Sequence, residues 1–188
     1  MSRYAFTLVI AALALERLFE LRLSRRNAAW AKQAGAVEYG ARHLVLMKLL
    51  HTAFFISALL EVWLLARPLV PALAGAGLAL VLLAQALRYW AIGTLGRRWN
   101  ARIIVVPDDP VVTSGPYRYL RHPNYVAVQL EMAAVPLIHG AWLTALVFSL
   151  GNLWLLSVRI RAEESALGPG WAAAFEGKPR FLPEVHRG

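Results

Sequence analysis

Apolar residues in this chain gather into long runs. The first covers residues 4–23 and is interrupted by Glu16, Arg17 and Glu20; a second covers 44–66; a third, 70–95, is entered through Arg67-Pro68 and Pro71. Runs of about 20 apolar residues match what a helix needs to cross a bilayer, so each predicts a membrane-spanning helix. Arg3, the apolar stretch after it and Ala12-Leu13-Ala14 faintly resemble a cleavable signal peptide. Arg22, Arg25 and Arg26 follow at once, and basic flanks tend to stay in the cytoplasm. The pattern therefore predicts an uncleaved first span.

Residues 96–121 differ in kind: polar, basic and punctuated by Pro107, Pro110, Gly115 and Pro116. Residues 124–158 are apolar again. One straight helix of that length would reach about 50 Å, against a hydrocarbon core of about 30 Å. Pro136 and His139-Gly140 break the run, which predicts a hairpin of two short helices, 125–138 and 141–158. The tail from Arg159 is mixed and polar, with Gly168-Pro169-Gly170 as a stop.

Composition agrees with the pattern. Hydrophobic residues make up 59% of the 188 and charged ones 16%, which excludes disorder and an ordinary soluble domain. The absence of cysteine removes disulfides, thiolate metal sites and thiol nucleophiles, and five unclustered histidines predict no metal site. A net charge of +9 raises nucleic acid as a partner, but the basic residues crowd into short segments between apolar runs. Five follow the first run (Arg22, Arg25, Arg26, Lys32, Arg42) and five lie in the polar loop (Arg97, Arg98, Arg102, Arg118, Arg121). Five more are in the tail, and the intervening turns hold only Arg67 and His139. This alternation predicts an all-α integral membrane protein of five spans, a single domain over residues 1–188, and no nucleic-acid partner. Its N-terminus lies outside; the loop and tail share the cytoplasmic face.

Chemistry concentrates on that face. Ser114-Gly115-Pro116-Tyr117 reads as a tight turn, and Pro123 suits the first turn of a helix. The free N–H groups of Asn124 and Tyr125, beside Arg118 and Arg121, would suit a carboxylate or phosphate. An aromatic-anchored helix entry with snorkelling arginines accounts for the same residues. Further on, Arg159 and Glu163 are one turn apart and share a face. Glu163 and Glu164 near a helix C-terminus oppose the macrodipole, which a cationic ligand would explain better than stability does.

The pattern Val112-Thr-Ser-Gly-Pro-Tyr-x-x-x-Arg-His-Pro-x-Tyr125, then Arg159-x-x-x-Glu-Glu-x-x-Leu167, resembles the isoprenylcysteine carboxyl methyltransferases and their phospholipid methyltransferase relatives. The likeness spans roughly residues 95–183, including the closing Pro179-Arg-Phe-Leu-Pro183. It implies a membrane enzyme that uses S-adenosylmethionine and acts on a lipophilic acceptor entering from the bilayer. By matching positions it implies cofactor contacts from Val111, Val112, Tyr117, His122, Pro123, Asn124, Tyr125 and Glu163, with Arg102 a further candidate. Arg159 would meet the acceptor, and Glu164 and His122 are the candidate bases nearby. Asp109 stands where eukaryotic members have histidine. Gly96-Arg-Arg-Trp99, running on through Ile103 to Pro107, is similar to bacterial relatives that methylate phenolic lipids, which implies a bacterial inner-membrane enzyme and a phenolic acceptor. A carboxylate such as isoprenylcysteine and phospholipid N-methylation are the alternatives. A sterol-reductase-like enzyme, with Arg97 and Arg98 on a dinucleotide phosphate, and a non-catalytic scaffold are the rivals.

Other polar residues receive structural readings. Lys48, His51 and Arg88 snorkel or pair with Glu16, Glu20 or Glu61, and Glu131 pairs with Arg88. Gly75-Ala-Gly77 is a close-packing feature of the third span.

Overall fold

A computed structural model describes residues 2–181. Five helices organise them: α1 (Arg3–Gln33), α2 (Ala41–Leu64), α3 (Pro71–Leu95), α4 (Pro123–Leu137) and α5 (Trp142–Ala174). Their ends follow local chemistry. The Ser2 hydroxyl caps α1 by accepting from the Ala5 N–H at 3.2 Å. Pro71 and Pro123 open α3 and α4, where a missing N–H costs nothing.

The helices Ala41–Leu64, Pro71–Arg98 and Trp142–Ala174 are long and apolar enough to cross a membrane. Leu82, Leu83, Val147 and Trp154 point outward from them and are exposed. Apolar surface on this scale marks contact with lipid rather than water. The chain is an integral membrane protein. α1 is less apolar because it holds Glu16, Arg17 and Glu20, yet it turns these inward and exposes Leu8, Leu15, Leu18 and Phe19. α4, at 15 residues, is short and lies between α3 and α5.

Helical spacing builds the core. Phe6, Ile10 and Leu13 of α1 meet Phe54, Ala58 and Val62 of α2, and Val128, Met132 and Val135 of α4. Each trio repeats at three or four residues, one stripe per helix. Gly77 is indeed a close-packing position: a Cβ there would stand 3.1 Å from the Ile138 side chain and 3.2 Å from the Ala134 carbonyl oxygen.

Three expectations are corrected. α1 continues to Gln33, because no proline or glycine stops it. The predicted pair of short helices is unequal: α4 is short, but α5 runs to Ala174. Its Gly168-Pro169-Gly170 segment is a break and not a stop: Gly168 leaves helical geometry (φ 76°, ψ −172°) and Pro169 restarts the helix in its permitted first turn. Finally, the chain is not wholly helical. Val37–Tyr39 (β1) and Ile103–Val105 (β2) pair antiparallel, Glu38 opposite Ile104, too briefly for alternation to announce them.

Candidate active site

The polar loop is folded onto α3 by its central turn. Residues Gly115–Arg118 form a 3-10 turn, and Gly115 has a φ of 56°. Any Cβ there would overlap the Thr94 side chain, so glycine serves both conformation and contact. The turn buries Pro116 and Tyr117 and delivers the chain to His122, the residue that precedes α4. The tail closes over the same face. The Arg121 N–H donates to the Pro179 carbonyl at 3.0 Å and its Nε to the Lys178 carbonyl at 2.5 Å. Leu182, Pro183 and Arg187 lie outside the described residues.

A cavity of about 820 Å³ opens beneath this loop. Arg102, Val111, Val112 and Tyr117 line it from the loop; His122, Asn124 and Tyr125 from the start of α4; Arg159 and Glu163 from α5. The structure thus brings nine of the eleven sequence candidates around one space. Pro123 is buried in the helix start and Glu164 is turned away; neither lines the cavity.

The centre of the site is a chain of hydrogen bonds. Tyr125 Oη accepts from Arg159 Nε at 2.7 Å and donates to Glu163. Arg159 Nη2 also donates to the Ala101 carbonyl at 2.7 Å, so one buried guanidinium ties α5 to both α4 and the loop. Arg159 and Glu163 therefore share a helix face as expected, with the tyrosine hydroxyl between them. The His122 ring stacks on Tyr125 at 5.3 Å and leans on Trp171 at 5.5 Å. Its Nε2 lies 3.1 Å from Glu164, which also accepts two bonds from Arg180, at 2.6 and 3.0 Å. That pairing, with the hydrogen bond as its main cause, holds the Arg180 guanidinium above its ordinary pKa. Glu164 is thus committed to His122 and to the tail. Tyr117 is kept neutral by burial first and by the neighbouring Glu163 second, both raising its pKa. Asn124 Oδ1 is buried with no hydrogen-bond partner among the described residues. Asn124 lines the cavity, and an unpartnered buried acceptor on such a residue calls for a partner that a ligand donor would supply.

Two parts of the cavity were missed or undervalued by the sequence pattern. Leu167, Trp171 and Phe175 make an apolar and aromatic wall, with Trp171 and Phe175 4.6 Å apart. Reading Gly168-Pro169-Gly170 as a stop cut Trp171 and Phe175 off from the site. At the deep end the lining includes Arg17, Glu20, Lys48, His51 and Arg88. The expected Arg88–Glu131 pair is present at 3.4 Å, but Arg88 grips Glu20 more closely, through two bonds of 2.5 Å. Glu61 instead pairs with Arg67 at 2.9 Å and accepts from Thr144.

The two arginines on which a dinucleotide phosphate reading depends already have partners. Arg97 sits 4.6 Å over the Trp30 ring, and Arg98 pairs with Asp109 at 2.6 Å. Arg102 pairs with Glu38 at 2.9 Å across the strand pair.

Known proteins give this geometry its family. Residues 77–169 match the model of the isoprenylcysteine carboxyl methyltransferase family. The chain is 42% identical over 163 residues to the uncharacterized protein YpbQ of Bacillus subtilis (strain 168), covering 86% of this chain and 96% of that one. This chain belongs to the isoprenylcysteine carboxyl methyltransferase family. It is a membrane methyltransferase by that membership. An uncharacterized protein of Haemophilus influenzae is 32% identical over 152 residues, covering 80% of this chain and 88% of that one. The protein-S-isoprenylcysteine O-methyltransferase of Schizosaccharomyces pombe is 32% identical over 76 residues, 40% of this chain and 32% of that one. A solved structure of the eukaryotic intramembrane Ras methyltransferase ICMT shares the fold, with a TM-score of 0.58 at 22% identity, over 74% of this chain and 53% of that chain. The family match starts within α3, upstream of residue 95 where the motif likeness begins, and ends at the Gly168 break.

Proposed function

We propose that the chain transfers a methyl group from S-adenosylmethionine to an oxygen of a lipophilic acceptor, preferably a phenolic lipid. The observation that supports it is the cavity lined by Asn124, whose Oδ1 has no partner among the described residues, and by the linked Glu163, Tyr125 and Arg159. Its volume of about 820 Å³ lies within the range of small-molecule sites. The residues present fit the donor. Glu163 and the unpartnered Asn124 oxygen suit its ammonium group, and the N–H groups at the start of α4 suit its carboxylate. The aromatic wall of Trp171 and Phe175 suits a sulfonium. Val111, Val112 and Tyr117 close the loop side, and Arg102 stands at the mouth.

When bound, S-adenosylmethionine supplies a methyl group already activated by positive sulfur. What the protein adds is alignment and exclusion of water. Arg159 serves both: it fixes the Tyr125 hydroxyl, and through it Glu163, while pinning the loop at Ala101. Pro123 sets the helix start, and Glu164 with His122 locks the tail over the site; both are positioning residues.

The acceptor arrives from the bilayer. Leu18 and Leu21 of α1 face Leu44, Met47, Phe55 and Ile56 of α2 across the cavity, and these two helices touch each other little. A hydrocarbon tail lying between them stays in apolar surroundings while its polar head reaches the donor. A carboxylate acceptor is the second reading, favoured by the similarity to the S. pombe enzyme.

In this reading all five helices cross, with the N-terminus outside, the site and C-terminus cytoplasmic, and the bacterial inner membrane as the host. A reporter fused after Gly188 should be active only in the cytoplasm, and one inserted between Ala66 and Val70 only outside. Both on one side would defeat this topology. Purified protein given methyl-labelled S-adenosylmethionine should label long-chain phenols; labelling of prenylated cysteine with none of phenols would overturn the preferred acceptor.

A further inference from the structure

A phenol, unlike a carboxylate, must lose a proton when it is methylated, and the two bases nearest the motif are occupied. Glu164 lies off the cavity beneath Arg180, and His122 Nε2 is held against it. A third base faces the space from the opposite side. His51 of α2 lines the cavity, and its Nδ1 lies 2.8 Å from the Met47 carbonyl oxygen. A carbonyl can only accept, so the proton of the neutral ring is on Nδ1 and the lone pair is on Nε2. Among the described residues Nε2 makes no hydrogen bond.

Position adds to tautomer. His51 also borders a small void with Val128 of α4, one turn deeper than Asn124. Four residues of helix rise about 6 Å, close to the width of one aromatic ring. Lys48 lies one turn from His51 on the same face, lines the cavity and forms no ion pair among the described residues. The other charged groups around His51 are Arg17 and Glu20 of α1, Arg88 of α3 and Glu131 of α4, and these pair with one another. An imidazole nitrogen without a hydrogen bond and an ammonium without an ion pair thus line the same cavity one turn apart on α2, with the apolar residues of α1 and α2 beside them.

We propose that His51 Nε2 is the base that takes the phenolic proton and that Lys48 holds the resulting oxygen anion. The O–H proton passes to Nε2 first, leaving the phenolate against Lys48, and the phenolate oxygen then bonds the transferred methyl carbon. The methyl's bond to sulfur breaks with its electron pair left on sulfur, and the imidazolium then releases the proton to water. This rests on the phenolic reading above; a carboxylate acceptor would have no use for the base.

A chromophoric phenol tests it without turnover. A long-chain alkyl nitrophenol bound to the wild-type protein in detergent, with no methyl donor, should show its phenolate band at a pH at least one unit lower than in protein-free micelles. Lys48→Met and His51→Asn should each reduce that shift; the asparagine amide can still donate to the Met47 carbonyl. An unshifted band with wild-type protein would overturn the proposal, whether or not the variants fold. In turnover, His51→Asn should lower kcat on long-chain phenols about 100-fold, the low end for a general base, while S-adenosylmethionine binds as before. The wild-type rate should level off above the imidazole's titration, whereas the variant's should keep rising toward the phenol pKa near 10. Phenol methylation with an unaltered rate and pH profile in the variant sinks the role of His51 and leaves the phenolic acceptor standing. No methylation of phenols by wild-type protein sinks the acceptor reading itself, and the base with it.

Discussion

The cavity has two charged ends, and they differ in how completely their charges are satisfied. At the deep end Glu20, Arg88, Glu131 and Arg17 saturate one another at distances from 2.5 to 3.4 Å, with Gln85 and Tyr89 closing on Glu16. At the loop end Asn124 Oδ1 has no partner, and the Glu163–Tyr125–Arg159 chain borders open space. Charge inside a membrane protein is costly unless paired. The cluster of Arg17, Glu20, Arg88 and Glu131 meets that cost internally and so holds helices together, while Lys48 and His51 beside it stay outside the cluster. The loop end leaves an acceptor unpartnered and an aromatic wall along the cavity, which is how a binding site differs from a structural cluster.

The largest effect should come from breaking the saturated end. Glu20→Ala leaves Arg88 with only its longer bond to Glu131, and should destabilise the fold by about 3–5 kcal/mol. Thermal unfolding in detergent measures this. A variant of wild-type stability that had lost S-adenosylmethionine would reverse the roles of the two ends.

At the open end the effects should appear in binding and not in folding. Glu163→Gln keeps shape and removes charge, and should weaken S-adenosylmethionine by about 1.5–3 kcal/mol, the scale of a hydrogen bond to a charged group. Calorimetric titration reads it. Unaltered binding by the folded variant would remove Glu163 from the site. Tyr125→Phe removes the hydroxyl linking Arg159 to Glu163 and should cost about 1.5 kcal/mol of binding. Asn124→Ala should cost least, about 0.5–1.5 kcal/mol, because only the unpartnered side-chain oxygen is lost and the backbone N–H survives. A larger loss at Asn124 than at Glu163 would invert the ranking.

The sequence made the loop end legible and the deep end only partly so. Helix entry at Pro123, the turn at Gly115 and the shared face of Arg159 and Glu163 are local features, set by residues within a turn or two of each other. The partners of Arg88 come from α1 and α4, 68 and 43 residues away, and spacing does not encode such distances. The charges that interrupt the first apolar run are its inward face. Trp171 and Phe175 were hidden by a glycine and a proline that usually end helices, where here they redirect one. The strand pair was too short to signal itself, although it brings Arg102 beside Glu38.

The central claim is that the open end is built for S-adenosylmethionine. Titrating the purified wild-type chain in parallel with S-adenosylmethionine and NADPH tests it most directly. Saturable one-to-one binding of S-adenosylmethionine, with no heat from NADPH, is the predicted result. Binding of NADPH with none of S-adenosylmethionine would contradict it.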